Sequence, residues 1–271
     1  MSAHLIGATG NPGEGKSDLA RSATVVGKTA VLLTDPKEVG FWKAPENPRF
    51  KPANLTTVDL IVDLDWRPHL GVPDGLKGGG YTKMMRWFDA RQKDDSEFVV
   101  VDTGTGAALL AERENFKSLS IFKPGDADHG RGYTGTDTLL RAVITELRRL
   151  HARGKTVIMT FHGRMKELEG AGDAKKKKDM SGEEVLKFSE QMLPILSGTN
   201  AMAQSFGSEF DLWLYTKPTG VGVARQFYVT AVSDEARPAK HSVTFKEKVD
   251  GKPVLPGMLP NSVRAILGVI A

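Results

Sequence analysis

Residues Gly10 to Ser17 read GNPGEGKS, three glycines and a proline in one turn that a lysine and a serine close. The spacing satisfies G-x-x-x-x-G-K-[ST], with Gly10, Gly15, Lys16 and Ser17 at the fixed positions. Glycines there let successive backbone N–H groups converge on an anion without a Cβ in the way. Lys16 then offers a cation to the outer phosphates of a nucleotide, and Ser17 offers a hydroxyl to Mg²⁺. Gly10, Asn11, Pro12, Gly13, Glu14, Gly15, Lys16, Ser17 and Asp18 together form the expected contact segment. A glycine-rich surface turn is the plain alternative, and context argues against it. HLIGA before the turn is an apolar run of strand type, and KSDLARSATVV after it puts Leu19, Ala20, Ala23 and Val26 on one helical face. The helix N-terminus adds partial positive charge at the same point.

Chemistry on a bound triphosphate needs further groups. FVVVD ends an apolar run in Asp102, the acid expected to hold Mg²⁺ beside the loop, although a strand-capping aspartate is a common feature. Ligands gather at the C-terminal ends of parallel strands, and LLTDPKE offers Asp35 and Glu38 at such an end. Glu38 is the expected water-polarising carboxylate; a solvated turn residue is the alternative of nearly equal weight. TVIMTFHGR closes a further apolar run on His162, expected to sense a terminal phosphate or, alternatively, only to satisfy backbone groups.

These side chains must be positioned by a sheet. KTAVLLTD and EFVVVD are continuous apolar runs, the pattern of parallel strands covered on both faces, whereas TVDLIVDLDW alternates and reads as a more exposed strand. YTKMMRWFDARQ is helical. Residues 113 to 135 lack a period and read as a loop. The helix after it carries the stripe Leu139, Leu140, Val143, Ile144, Leu147 and Leu150, with Thr136 or Asp137 as its expected cap and Gly154 as its stop. FDLWLYT, RQFYVTAV and HSVTFKEKVDGKPV read as strands in hairpin-like succession, and the chain ends in a short amphipathic helix. The expected fold class is α/β, a mostly parallel sheet flanked by helices with extra antiparallel strands near the C-terminus.

Composition sets the outer bounds. The 271 residues are 40% hydrophobic and 26% charged, ordinary for a globular chain, and no apolar run approaches bilayer length. Nothing at the N-terminus has the apolar stretch of a signal peptide. There are no cysteines, which excludes disulfides, thiolate metal sites and cysteine nucleophiles, and which suits a reducing cytoplasm. The net charge of +4 permits a polyanionic partner without demanding one.

Two polar loops carry cations. One, at 163–188, holds Lys175, Lys176, Lys177 and Lys178 directly after the His162 strand; a lysine run is more often a solvated loop than a binding site. A phosphate contact at His162 would order that loop against a phosphodiester backbone. The other, at 116–135, mixes Lys117, Lys123 and Arg131 with Phe122 and Tyr133, types suited to stacking on single-stranded bases.

GNPGEGKS, FVVVDTGTG, TVIMTFHGR and PILSGTNAMAQSFGSEFDLWLYT, in that order, resemble a RecA-like P-loop ATPase core, and specifically the phage branch of single-strand annealing ATPases. RQFYVTAVSDEARPAK adds to the likeness, which spans most of residues 3 to 241. The resemblance implies ATP and Mg²⁺ as cofactors, binding of single-stranded DNA through both polar loops, and annealing or strand exchange. It further implies a homo-oligomeric ring or filament, with Arg237 and Lys240 reaching a neighbouring subunit's nucleotide, and a single-strand DNA-binding protein as a further partner. Departures are Thr103 where the family has serine, His241 after Ala239-Lys240, and the insertion ELEGAGDAKKKKDMSGEE. The expected organisation is one domain over 1–271, a core at 3–241 with an extension at 242–271, in a bacterial host cytoplasm if phage-encoded and without a membrane. Two other classes stay open, a small-molecule kinase using the same loop and a nucleotide-gated binding module with little turnover.

Overall fold

The computed structural model describes residues 2–63, 79–119, 131–167, 177–178, 184–185, 190–219, 226–230, 240–243, 245–246, 248–249, 252–253 and 258–270. Strand β1 (Leu5–Gly10) leads through the glycine turn into helix α1 (Lys16–Arg21), which a 3-10 turn over Ser22–Val25 prolongs. There follow β2 (Thr29–Leu33), the short α2 (Glu38–Trp42), β3 (Leu55–Leu60) and α3 (Gly80–Arg91). Next are β4 (Phe98–Asp102), α4 (Gly104–Ser118), α5 (Arg131–Ala152) and β5 (Thr156–Glu167). The later chain holds β6 (Lys177–Lys178), β7 (Glu184–Val185), β8 (Glu190–Pro194), α6 (Asn200–Phe206), β9 (Leu212–Thr219) and β10 (Gln226–Thr230). It ends with β11 (Lys240–His241), β12 (Lys248–Val249), β13 (Lys252–Pro253), β14 (Leu259–Pro260) and α7 (Val263–Val269).

The main sheet runs β14-β10-β9-β1-β5-β4-β2-β3, parallel from β9 to β3 and antiparallel at β10 and β14. This is the mostly parallel, helix-flanked sheet with antiparallel C-terminal strands that the sequence predicts. Apolar runs are continuous because both faces are covered. Along β4, Val99 and Val101 join the core under α3, α4 and α5, while Phe98 and Val100 join the one under α1 and α7. The alternating strand lies at the edge, where Val58 and Leu60 are 37% and 42% exposed. Because β5 lies between β1 and β4, with Gly10 opposite His162, the ends of the turn-bearing, Asp102-bearing and His162-bearing strands open on one edge of the sheet.

Four expectations change. Strand β5 does not close on His162; it continues to Glu167, leaving β1 and pairing antiparallel with β8. The expected loop at 113–135 is helical at both described ends, through Ser118 in α4 and from Arg131 in α5. Glycines hid that helix, since Gly135 is there for close packing: a Cβ on it would lie 2.0 Å from Asn115 Oδ1. Neither expected cap operates at a helix start, because Thr136 is buried within α5 and Asp137 accepts from the Thr199 backbone N–H and hydroxyl at 2.9 and 2.6 Å. The segment expected to be a polar loop at 163–188 shows, in its described part, the antiparallel pair β6–β7.

A second close approach lies in the sheet centre. The Trp213 ring covers Gly7 and stacks within a cluster of Phe161, Phe206 and Phe210, with centroids 5.2 to 6.0 Å apart. A Cβ on Gly7 would fall 2.2 Å from the indole, so no side chain fits there. Gly7→Val is expected to destabilise the fold by about 1–3 kcal/mol, read as a lower urea midpoint at unchanged slope.

Candidate nucleotide site at the strand ends

The turn between β1 and α1 depends on two left-handed residues, Gly13 at φ 76° and Gly15 at φ 86°, which only glycine adopts without strain. Neighbours close the space further. A Cβ on Gly15 would lie 2.7 Å from Phe227 and 2.9 Å from Asn261 Nδ2, and one on Gly10 would lie 2.2 Å from Thr216 Oγ1. The turn satisfies itself internally. Lys16, 5% exposed, donates from Nζ to the Asn11 carbonyl at 2.7 Å, and the Asn11 backbone N–H donates to Glu14 Oε2 at 2.6 Å. Burial lowers the Lys16 pKa, opposed by the charges of Glu14, Asp102 and Glu38.

Beneath the turn sits Asp102, wholly buried at the tip of β4. A buried carboxylate needs donors, and three elements supply them. Thr160 Oγ1 donates to Oδ1 at 2.6 Å, Trp42 Nε1 to Oδ2 at 3.0 Å, and Ser17 Oγ reaches Oδ1 at 3.4 Å. Mg²⁺ ordinarily takes one or two protein oxygens together with phosphates and water, and Ser17 with Asp102 is such a pair. The left-handed glycine cradle, the adjacent ammonium and this pair suit a Mg²⁺–triphosphate.

Lys16, Ser17, Asp18, Asp35, Glu38, Phe41 and His162 line one cavity of about 650 Å³ with Gly13, Gly15 and Phe227. Burial pushes the Glu38 pKa up and the charge of Asp102 adds to this, while the Ser17 hydroxyl, whose single proton Glu38 and Asp102 share, opposes it. A carboxylate less acidic than usual is a better proton acceptor near neutrality. Burial and then the Lys16 charge lower the pKa of His162, which favours the neutral imidazole. Its backbone N–H donates to Thr105 Oγ1 at 3.0 Å, its carbonyl accepts from the Ile195 N–H at 2.7 Å, and its Nδ1 is buried with no partner among the described residues. His162, Asp35 and Ile195 also form one wall of a second cavity of about 480 Å³, with Thr105, Arg113 and Leu109 among its other walls. Helix α2, which carries Glu38, is held to α1 by Arg21, whose guanidinium lies 4.0 Å from the Phe41 ring centroid and 4.1 Å from that of Phe50.

The structure thus brings Gly10 to Asp18, Glu38, Asp102 and His162 together. It draws Lys117 away from any loop, since Lys117 pairs with the buried Asp63 at 2.9 Å. Tyr133 packs edge-on against Phe116 within the helices, 5.4 Å between centroids. Phe122, Lys123, Lys175, Lys176 and Arg237 lie outside the described residues, as do the side chains of Arg131, Lys177, Lys178 and Lys240. Trp42, Thr160, Phe227 and Asn261 were not legible as site residues. Thr160, two positions before His162, carried the one local signal, a hydroxyl in an apolar strand.

A family model described as an AAA domain matches residues 4–240. No curated protein matches the sequence. Among solved structures, the chain is similar to a KaiC-like protein from the archaeon Pyrococcus horikoshii at 11% identity and a TM-score of 0.41, covering 95% of this chain and 84% of that one. It is also similar to the flagellar accessory protein FlaH from Methanocaldococcus jannaschii at 11% identity and a TM-score of 0.42, covering 94% and 91%.

The raised pKa of Glu38 has a signed consequence. Folded protein keeps the Glu38 proton at pH values where the unfolded chain has lost it, so this residue's contribution to stability falls as pH rises above the ordinary glutamate range. Glu38→Gln is therefore expected to be more stable than wild type at about pH 7.5 and equal to it near about pH 3.5, compared by urea midpoints.

Proposed function

This chain belongs to the AAA domain family, and on that premise we propose that it hydrolyses Mg²⁺·ATP in the Gly10–Asp18 cradle and uses nucleotide state to govern binding of single-stranded DNA. The observation that carries the reading is one cavity lined by Lys16, Ser17, Glu38 and His162, with Asp102 directly beneath Ser17. Bound Mg²⁺ would neutralise charge on the transferring phosphoryl group. Lys16 exchanges the Asn11 carbonyl for phosphate oxygens. Glu38 accepts a proton from the attacking water as its oxygen bonds to the terminal phosphorus and the bond to the leaving diphosphate oxygen breaks. His162, neutral and with Nδ1 unpartnered among the described residues, meets the terminal phosphate.

Strand β5 carries His162 and runs on to Glu167, eight residues before Lys175 in the sequence. A phosphate contact at His162 is read by the basic segment that follows β5 in the sequence, which together with Lys123 and Arg131 binds the phosphodiester backbone. Annealing or strand exchange follows in a ring or filament, Arg237 and Lys240 completing a neighbour's site and a single-strand DNA-binding protein supplying coated strands. The second cavity supports a second reading, phosphoryl transfer to a small acceptor, because it meets the first at His162 and Asp35.

Lys16→Ala is expected to abolish Mg·ATP binding in calorimetry and turnover alike; normal turnover would remove the proposal. The wild-type rate is expected to rise on adding single-stranded DNA. A DNA-independent rate with phosphorylated nucleoside or nucleotide products would instead establish the second reading. Replacing Lys175 to Lys178 with glutamine is expected to weaken DNA binding and to flatten its log–log salt slope by about 0.7 for each phosphate that the protein ceases to neutralise.

A further inference from the structure

The chain after β11 lies beyond the 4–240 span of the family model, and it reads in the sequence as an appendage. The fold places it against the phosphate turn. Pairing of β14 with β10, Tyr228 opposite Pro260, carries Asn261 to a wholly buried position behind Gly15. Asn261 Nδ2 donates to the Gly15 carbonyl at 2.7 Å, and the Asn261 backbone N–H donates to the Phe227 carbonyl at 3.3 Å. A carbonyl can only accept, so the amide nitrogen and not its oxygen must face Gly15. Asn261 Oδ1 is buried with no partner among the described residues, which leaves the bond to Gly15 as the side chain's one anchor there.

The following residues grip the helix that the turn feeds. The Val263 N–H donates to Ser22 Oγ at 2.8 Å, and the Arg264 guanidinium donates to the Val25 carbonyl at 3.1 Å. Val263 and Ile266 are buried in the same core as Leu19, Ala20 and Ala23. Lys16 and Ser17 are thus held from behind through α1 and its 3-10 extension. Glycine in a left-handed turn has more freedom to lose than any other residue, and a partner that restrains it beforehand leaves less ordering to be done when a ligand binds.

We propose that Met258–Ile270 is an arm of the nucleotide site, and that Asn261 is a positioning residue holding Gly15 in the conformation that the triphosphate requires. The proposal rests on reading the turn as a nucleotide cradle. Coupling of this kind is reciprocal: an arm that favours the binding-competent turn is itself held more tightly when nucleotide is bound.

The test uses the full chain, with Mg·ATP as the probe. In wild type, amides of the Leu259–Ile266 segment are expected to exchange at least about threefold more slowly under saturating Mg·ATP. Asn261→Leu keeps the volume and removes the donor. It is expected to raise the Mg·ATP Kd and KM by up to about tenfold with kcat preserved, and to lose the exchange protection. A merely structural role would lower the melting temperature without that split. Binding by Asn261→Leu within about twofold of wild type would overturn the proposal, as would wild-type C-terminal amides indifferent to Mg·ATP. If the variant fails to fold, the wild-type exchange comparison decides alone. Wild type that binds no Mg·ATP would overturn the cradle reading itself, whereas normal wild-type binding with an indifferent variant removes only the arm.

Discussion

The site is organised around a carboxylate taken out of water. Asp102 has no exposed surface, and its charge is met by Ser17 from α1, Trp42 from α2 and Thr160 from β5. An ionised group so placed is tolerated only when hydrogen bonds replace its hydration, and removing one partner leaves the remaining charge poorly satisfied. One side chain therefore ties the helix bearing Lys16, the helix bearing Glu38 and the strand bearing His162 to the tip of β4. The spacing of the functional groups follows from this shared anchor.

Above that anchor, the polar pairings are made to be exchanged. Lys16 rests on its own turn's carbonyl and Glu14 takes the N–H of Asn11, groups that a phosphate would otherwise engage. A buried ammonium bonded to a neutral carbonyl is less well satisfied than one facing an anion, so substitution by phosphate oxygen runs in a favourable direction. The rigid base and the exchangeable upper layer together describe a preorganised anion site. His162 stands where the two cavities meet, with backbone ties to Thr105 and Ile195 on either side. Its backbone thereby joins the start of α4 to the chain after β8.

Much of this was legible in one dimension. The apolar runs of β1, β2 and β4, the glycine spacing of the turn and the stripe of α5 each reflect a short-range rule: side-chain period, turn conformation or helix face. Reading failed where a residue's local preference was overridden by a distant neighbour. Gly132 and Gly135 look like loop formers, yet α5 runs through both because Asn115 bonds the Gly132 carbonyl and leaves no space for a Cβ at Gly135. Asp137 looks like a cap and instead holds Thr199, 62 residues on.

Residue order alone settled the chemistry on offer: an anion-cradling turn with a lysine, a hydroxyl and an acid at the end of an apolar strand, on an α/β chain without thiols. Folding in three dimensions decided who serves that chemistry. Trp42 reaches Asp102 across 60 residues, and Asn261 reaches Gly15 across 246. Neither position carries a local signature, since an indole or an amide acquires its role only from the acceptor that the sheet brings opposite it. Periodicity and turn rules act over a few residues, whereas pairing of buried polar groups is settled by which strands become neighbours.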